Sequence, residues 1–403
     1  MHQTCPAAVA APADADPLDE RLPLSGLLAL AMTGFIAILS ETLPAGLLGQ
    51  IADGMQISQA MAGQWVTAYA LGSLLTAIPL VTLTQGWWRR RTLLLAIGGF
   101  ILFNALTALS PSNGLTLVAR FLTGAAAGLA WGLIAGHARR MVPAARQGKA
   151  MAVAMVGAPI ALSLGVPAGT WLGEWLGWRA TFVGVTLASL VLALWVMRAV
   201  PDFPGQAAGQ RPGAWQVLST PGVAVVLLVI LAWVLGHNIL YTYIVPLLAA
   251  AGMAADTGLV LLTFGLAAVA GIALVGLWVD RHLRLLVLLS LAGFAVATLM
   301  LGQDTPSAWT VQLSVALWGL TFGGAPTLLQ TACADAAGDG VDVAQSMLVT
   351  VWNSAIALGG VVGGVLLTGS GVSAFGSVVL VMIAVAGALA WVGRRAGFVA
   401  GGR

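Results

Sequence analysis

Glu41 and Arg120 are the two charged side chains that fall inside long apolar stretches of this sequence, whereas almost every other charge lies at the end of one. A charge near the centre of a lipid bilayer costs about 3 kcal/mol on insertion scales, so it persists mainly where it has a function. A carboxylic acid withdrawn from water can bind and release a proton near neutral pH. A guanidinium keeps its charge and needs a partner inside the protein. The two residues therefore indicate proton chemistry within a membrane.

Both residues also have less specific explanations. Glu41 lies roughly 17 residues into the first apolar stretch, and Arg120 lies roughly six residues into the fourth, which runs in the opposite direction. Their depths therefore match. The alternatives are a carboxylate that reaches water at the end of a helix, and an arginine bonded to helix carbonyl groups. Whether the two side chains form a direct ion pair stays open on the sequence alone.

The composition predicts the elements that hold these residues. Charged residues make up 8% of the 403-residue chain, hydrophobic residues make up 59%, and the mean hydropathy is +0.97. A helix needs about 20 mainly apolar residues to cross the hydrocarbon, whereas barrel strands alternate over about ten. The long continuous runs therefore predict an all-α integral membrane protein. Its twelve candidate spans, numbered in chain order, are 24–48, 61–84, 92–110, 114–137, 148–172, 179–198, 221–249, 257–279, 285–302, 308–333, 343–368 and 372–393.

The basic residues predict the orientation of the spans, because short cytoplasmic loops are enriched in Lys and Arg. The loops after odd-numbered spans contain one basic residue, Arg179. The loop after span 10 is acidic, with Asp335, Asp339 and Asp342, but acidic residues have little weight in this rule. We expect both termini to be cytoplasmic, because the basic residues cluster after spans 2, 4, 6 and 8 at Arg89, Arg90, Arg91, Arg139, Arg140, Arg146, Lys149, Arg198, Arg211, Arg281 and Arg284.

Several classes of function are excluded by what the sequence lacks. The net charge of +3 comes from the loop asymmetry, and no basic stripe predicts binding to nucleic acid. There is no ATP-binding Gly-rich motif and no hydrolase nucleophile motif, so we expect neither an enzyme nor a nucleotide-driven pump. Cys5 and Cys333 are far apart and indicate neither a disulfide nor a metal site. We expect no cofactor and no metal.

The chain divides into two halves. Residues 199–215 are rich in Pro, Gly and Gln and form the predicted cytoplasmic linker between a first half, 23–198, and a second half, 216–393. Residues 1–22 are polar, without the basic region and cleavage site of a signal peptide, and form a predicted disordered N-terminal tail. Residues 394–403 form a short C-terminal tail.

The two halves echo each other in sequence. Span 2 ends in Gly86-Trp-Trp-Arg89, and span 8, its counterpart, ends in Gly276-Leu-Trp-Val-Asp280-Arg281. Spans 5 and 11 are both rich in Gly. Parallel six-span halves are typical of secondary transporters, which hold their solute between the halves near the midplane of the bilayer.

The sequence resembles the major facilitator superfamily, and within it the twelve-span drug:proton antiporters that include sugar and nucleoside efflux pumps. The resemblance runs from about Leu24 to Trp391 and depends on the order of many short motifs across the spans. They include Glu41-Thr-Leu-Pro44-Ala-Gly46, Gly63-Gln64, Tyr69-Ala-Leu-Gly72, Arg120-Phe-Leu-Thr-Gly124, Gly165-Val-Pro167-Ala-Gly169, Gly177-Trp178-Arg179, His237-Asn-Ile-Leu-Tyr-Thr-Tyr243, Trp318-Gly319, Pro326, Gln330-Thr and Asn353.

The resemblance implies a proton-coupled exporter of a small organic solute, a monomer in the inner membrane of a bacterium. It ties the span-4 arginine, Arg120, to proton coupling. It identifies Gly165, Pro167 and Gly169 as an antiporter motif between the halves that limits leakage. Gating is implied for the charged loop residues Arg89, Arg90, Asp280, Arg281 and Arg284. The family usually has Asp at position 85, before the first basic cluster, but here the residue is Gln85. The resemblance therefore leaves the gating contact of the first half in doubt. In the second half, Asp280 keeps the corresponding acid.

Polar and aromatic residues of the inner spans are the candidates for contact with the solute. The alternative for each is that it cross-links helices, since polar side chains at membrane depth face protein or water. The candidates are Gln64, Tyr69, Trp131, His237, Asn238, Tyr241, Tyr243, Gln330 and Asn353. Trp318 and Trp352 also lie deep in their spans. Trp87, Trp88, Trp171, Trp175, Trp178, Trp215 and Trp309 fall at span ends and are predicted to anchor the protein at the membrane interface.

Two alternatives to export remain open. A proton-coupled importer would have much the same sequence, although the span-5 motif favours export. A non-transporting receptor would need a sizeable signalling segment, which the two short tails do not provide. Drugs, sugars and nucleosides all remain open as solutes, whereas a strongly dianionic solute is disfavoured because only one Arg lies within the membrane.

Overall fold

The computed structural model of the protein describes residues 22–207, 211–253, 256–303 and 307–399. The predicted N-terminal tail lies almost entirely outside this range. Nine helices in the described part are long and apolar enough to cross a membrane. Two of these runs, 258–301 and 308–369, each contain two of the predicted spans, and span 5 is broken into pieces too short to be counted. The helices therefore account for all twelve predicted spans.

The first half begins with span 1, Leu24–Gly46, which is followed by a short helix, Leu48–Met55. Span 5 is discontinuous, because a π-helical turn, Ala161–Gly165, interrupts its helices. The remaining helices of this half are Gln59–Leu83 (span 2), Arg89–Leu109 (span 3), Asn113–Arg140 (span 4), Gln147–Met155, Gly157–Ile160 and Val166–Leu176 (span 5) and Trp178–Ala199 (span 6).

The second half repeats this pattern with different breaks. A continuous helix, Thr257–Leu301, forms spans 8 and 9 and is kinked at His282, where the backbone leaves the helical conformation. The other helices are Ala214–Leu218, Val223–Thr242 and Ile244–Ala250 (span 7), Ala308–Gly323 and Ala325–Ala337 (span 10), Val341–Gly369 (span 11) and Ser373–Val392 (span 12).

Small residues set the closest helix contacts of the first half. A methyl group added at Gly124 of span 4 would lie 1.9 Å from the carbonyl oxygen of Tyr69 in span 2. One added at Gly72 of span 2 would lie 2.0 Å from the carbonyl oxygen of Phe121. Only glycine permits backbones to approach this closely. The two glycines therefore fix the crossing of the spans that carry Tyr69 and Arg120.

The halves meet where span 11 packs on spans 2 and 4 and where span 5 packs on spans 8 and 10. We call the end of the bundle that carries Arg89, Arg139, Asp280 and Asp342 the basic end. Among the described residues, the ion pairs and hydrogen bonds that join the halves lie in the basic-end part of the spans, the deepest running from the Thr350 hydroxyl to the Leu74 carbonyl at 3.4 Å. The bundle is thus closed at its basic end.

Candidate functional site

Three spans of the first half bring Glu41, Tyr69 and Arg120 together. The Arg120 guanidinium donates through Nη2 to the backbone carbonyl of Glu41 at 3.3 Å, and through Nε to the carbonyl of Trp65 at 3.3 Å. The Tyr69 hydroxyl donates to the carbonyl of Ala37 at 2.7 Å, one helical turn before Glu41. Glu41 and Arg120 therefore lie at the same depth in the bundle, as the sequence predicts.

Arg120 is completely buried and lies against aromatic rings. Its guanidinium carbon is 5.0 Å from the ring centre of Tyr69 and 5.8 Å from that of Phe182. Such contacts attract a cation electrostatically. Its Nη1 group has no hydrogen-bond partner among the described residues. A buried donor without a partner is costly, so Nη1 is available for an acceptor that enters the site.

The Glu41 and Arg120 side chains form no ion pair in the described structure, and their contact runs through the Glu41 backbone. An arginine bonded to helix carbonyl groups, which the sequence offered as the less specific alternative to a role in proton coupling, is the arrangement observed. Glu41 itself is half-buried. Its carboxylate is therefore not held by the neighbouring guanidinium and is free to act with another group.

In the second half, aromatic rings from spans 7, 8 and 10 surround His237. The imidazole stacks on Phe322, with ring centres 3.5 Å apart, and its Nδ1 accepts a hydrogen bond from Trp318 Nε1 at 3.1 Å. Tyr241 and Phe264 complete the group, with ring centres 5.3 and 5.9 Å from His237. We call these five residues the aromatic cluster. Since the indole can only donate, Nδ1 carries no proton in this arrangement, and a neutral imidazole leaves Nε2 as a donor.

The other candidates for solute contact divide into those bonded within the protein and those that are not. Asn238 and Asn353 donate to carbonyl groups one turn earlier in their own helices, at 2.8 and 3.0 Å. Tyr243 donates to the carbonyl of Gly360 at 2.6 Å. The Tyr243 bond joins two helices and corresponds to the cross-linking alternative, whereas Asn238 and Asn353 are bonded within their own helices.

Three candidates remain. Gln330 is buried, and its backbone carbonyl accepts from the side chain of Gln345 at 2.8 Å. Trp131 is half-buried and lies against Gly34 of span 1, where an added methyl group would be 3.0 Å from its ring. Gln64 is exposed. Of the nine candidates, Tyr69, His237 and Tyr241 lie in the two clusters described above.

The glycines of span 5 face span 1 of the same half rather than the second half. Methyl groups added at Gly157, Gly165 and Gly169 would meet, in turn, the carbonyl of Ala31 at 1.8 Å, the ring of Phe35 and the side chain of Leu43, all in span 1. This differs from the expectation that the motif with Gly165, Pro167 and Gly169 lies between the halves. The small residues are instead used to bring spans 1 and 5 together, which supports the turn that carries Glu41.

Trp178 is a second difference from the sequence-based expectations. It is 5% exposed and its ring centre lies 5.4 Å from that of Trp65, so it is part of the protein interior and not an interfacial anchor. The other predicted anchors are exposed: Trp87, Trp88, Trp171, Trp175, Trp215 and Trp309.

At the basic end, Asp280 binds the start of span 5. Its carboxylate accepts from the backbone N–H groups of Gly148 and Lys149, the first turn of the helix Gln147–Met155. An acid is favourable at a helix N-terminus because of the helix dipole. Arg281 is exposed and Arg284 is half-buried.

The first-half basic cluster contacts both the second half and the linker. Arg89 is 1% exposed and pairs with Asp342 at 2.9 Å. The backbone N–H of Arg90 donates to Asp202 at 2.9 Å, so the predicted linker is bonded to the start of span 3. The predicted linker, 199–215, overlaps the helices on either side. The helix Trp178–Ala199 includes the first residue of the linker, and the helix Ala214–Leu218 includes its last two.

The pair of Arg89 with Asp342 and two further cross-half pairs were not predicted from the sequence. Arg139 pairs with Asp335 at 2.7 Å, and Arg140 pairs with Asp342 at 3.3 Å. The sequence did contain an indication of these pairs, because the residues after span 10 are acidic and those after span 4 are basic. Only the folded arrangement of the spans shows that these two loops meet.

Comparison with known proteins identifies the family. The model of the Major Facilitator Superfamily matches residues 30–360. The chain belongs to this family of membrane transporters. It is 30% identical over 358 residues to the purine ribonucleoside efflux pump NepI of Escherichia coli strain K12, covering 87% of this chain and 89% of that protein. It is 27% identical over 363 residues to a probable sugar efflux transporter of Helicobacter pylori strain P12, covering 89% and 92%.

Solved structures of the superfamily share the fold of this transporter. The proton:xylose symporter XylE bound to 6-bromo-6-deoxy-D-glucose matches with a TM-score of 0.76 at 16% identity, covering 93% of this chain and 96% of that chain. The transporter FucP in its outward conformation matches with a TM-score of 0.72 at 15% identity, covering 93% and 99%. The predicted family and the fold of twelve helices in two halves are confirmed. The protein is a transporter and not an enzyme.

Proposed function

We propose that the protein exports a small organic solute in exchange for protons, by alternating access of its two halves. In this proposal a monomer lies in the cytoplasmic membrane of a bacterium with both termini in the cytoplasm. Glu41 carries the proton, and Arg120 couples the charge of Glu41 to the occupancy of the site. The observation that carries the proposal is the buried Nη1 group of Arg120, which has no hydrogen-bond partner among the described residues and belongs to the guanidinium that contacts the Glu41 turn.

The geometry supports competition between proton and solute. Arg120 Nη1 is buried without an acceptor, and the Glu41 carboxylate lies on a residue that the same guanidinium already contacts. An ionised Glu41 side chain can supply that acceptor. A solute oxygen or ring nitrogen can supply it instead, which leaves the carboxylate uncompensated and favours its protonation. Solute and ionised Glu41 would then exclude each other, which is the requirement for antiport.

The relatives and the aromatic cluster together support a nucleoside or a sugar as the solute. The relatives are named as exporters of purine ribonucleosides and of sugars. Tyr241 is 41% exposed, and with His237 it offers a ring face and an imidazole donor to a flat or ring-shaped solute. Rings of this kind stack favourably on aromatic side chains. Import remains the alternative direction.

The test is substrate-driven proton flux in liposomes. Purified protein is reconstituted with a pH-sensitive dye inside, and purine ribonucleosides, pentoses and hexoses are added one at a time. Glu41→Gln removes the titrating group while keeping its size. Glu174→Gln is the matched control, because Glu174 is exposed near the outer end of span 5.

We expect a solute-driven proton flux in the wild type and in Glu174→Gln, and its loss in Glu41→Gln. Counterflow of labelled solute should persist in Glu41→Gln, since exchange of solute alone needs no proton. Flux that survives in Glu41→Gln would refute the role of Glu41. Protons that move with the solute rather than against it would establish symport, the coupling that the import alternative requires.

A further inference from the structure

The internal repeat of the chain marks two equivalent contacts at the basic end. In one, the end of span 8 meets the start of span 5, and Asp280 accepts from two backbone N–H groups there. In the other, the end of span 2 meets the start of span 11. Aligning Arg89, after span 2, with Arg284, after span 8, places Gln85 where the second half has Asp280, four residues earlier in each case.

Gln85 does not supply the missing charge. Its side-chain amide donates to the carbonyl of Pro212 in the linker at 3.0 Å, and its backbone carbonyl accepts from the N–H of Gln206 at 2.9 Å. An Asp could not make the first of these bonds, because a carboxylate has no donor. The residue therefore holds the linker rather than the helix N-terminus of span 11.

The negative charge at this contact is instead carried by Asp342, which lies on span 11 itself. Asp342 is the second residue of the helix Val341–Gly369, where an acid is favourable to the helix dipole. Its Oδ2 accepts from Arg89 Nη1 at 2.9 Å and from Arg140 Nη2 at 3.3 Å. The Asp342 side chain is 4% exposed, so both arginines reach into the interior to bind it.

Neighbouring groups add to the same site. The Arg89 guanidinium also donates to the carbonyls of Thr84, at 2.9 Å, and Gln85. Gly136 of span 4 faces Asp342 so closely that an added methyl group would lie 2.0 Å from Oδ1. Breaking a buried ion pair by removing one partner is strongly destabilising, because it leaves the other charge uncompensated.

We propose that Asp342 is the positioning residue of the closed basic end, and that it supplies from span 11 the negative charge that position 85 lacks. The two equivalent contacts are therefore built differently. The Asp280 contact joins a carboxylate to backbone groups, whereas the Asp342 contact joins it to two arginines of the other half. The proposal rests on the alternating access proposed above, in which this end must open and close.

The test is hydrogen–deuterium exchange of the full protein in lipid nanodiscs, without solute or proton gradient. Asp342→Asn is compared with Asp339→Asn. Asp339 is a matched control because it is exposed and, within the described part of the chain, its backbone carbonyl and not its carboxylate accepts a hydrogen bond, from Gln206. We expect Asp342→Asn to speed exchange at residues 338–346 about tenfold or more. The control should match the wild type.

Exchange at the opposite end separates a positioning role from a merely structural one. In alternating access, opening of the basic end closes the other end, so exchange at residues 47–57 and 243–253 should slow in Asp342→Asn. A residue with only a structural role would speed exchange at the basic end and leave the opposite end unchanged. That result would overturn the proposal, as would Asp342→Asn behaving like its control.

Arg140→Gln covers a failure of Asp342→Asn to fold, and a double variant tests the position marked by the repeat. Arg140→Gln removes the half-exposed partner and should produce a smaller change of the same signs at both ends. Gln85→Asp combined with Asp342→Asn returns an acid to the position marked by the repeat and should restore exchange toward the wild type. No change in the first, or no restoration in the second, would refute the shared role. None of these outcomes depends on whether Glu41 carries a proton.

Discussion

The Tyr69 hydroxyl offers a sharp test of how the Glu41 turn is held. It donates to the carbonyl of Ala37 at 2.7 Å, and in the α-helical pattern that carbonyl also accepts from the backbone N–H of Glu41. Tyr69→Phe deletes one hydrogen bond, keeps the ring near Arg120, and leaves the carbonyl with its helical partner. We expect it to lower the free energy of unfolding by about 1 kcal/mol, the usual net value of one bond.

The same loss should loosen the turn that carries Glu41. A free energy of about 1 kcal/mol is about a fivefold change in an equilibrium. If the bond aligns Glu41 for exchange with the solute, proton flux per transporter should fall by about that factor in Tyr69→Phe. The flux is measured in liposomes with the purine ribonucleoside or sugar that drives it in the wild type.

The second half supplies a matched control. Tyr243 donates to the carbonyl of Gly360 at 2.6 Å, again from one helix to the backbone of another, and lies in the half opposite to Glu41. Tyr243→Phe should have a similar effect on thermal unfolding and leave the proton flux per transporter unchanged. Equal flux in the two variants, at equal loss of stability, would refute the argument that Tyr69 positions Glu41.

Two other predictions concern packing and the aromatic cluster. Gly124→Ala should destabilise the protein by about 1–3 kcal/mol, because its methyl group would meet backbone that cannot rotate away. Gly98→Ala is the control, because nothing lies within 4 Å of the added methyl group. In thermal unfolding it should be neutral or slightly stabilising. Trp318→Phe removes the donor to His237 Nδ1, which should cost about 1 kcal/mol, and the smaller ring leaves a space at a side chain that is 1% exposed, which adds to that cost. It should also weaken solute binding measured by counterflow; unchanged binding would count against the cluster as part of the solute site.

The spans could be predicted from the sequence because their signal is local. About 20 apolar residues in a row suffice to indicate a transmembrane helix, and Arg120 and Glu41 stand out against that background. The shared depth of these two residues followed from the direction of their spans. That the guanidinium binds the Glu41 backbone could not be predicted, because the choice between a carboxylate and a carbonyl depends on differences of a few Å in helix position.

Contacts between distant segments were the part that sequence did not reveal. Asp342 was recognised only as one acid in a loop, and its pairing with Arg89 depends on two spans 253 positions apart in the chain. The position of Trp178 at a span end predicts an interfacial anchor, yet the packing of Trp65 and Phe182 buries it. In both cases the local sequence placed the residue correctly at the end of a span, but it gave no information about the side chains that contact it.

The π-helical turn in span 5 changes how the sequence of that span should be read. Successive residues of an α-helix are rotated by about 100°, so a spacing of eight places two residues about 80° apart. Gly157 and Gly165 have this spacing and both face span 1, because the turn Ala161–Gly165 takes up one residue and leaves an effective spacing of seven. The turn therefore shifts the helical register of span 5 by one residue, which keeps the glycines on either side of it on the same face. If it moved along the helix by one position, the residues it passed would rotate to a new face while both ends of span 5 stayed in register.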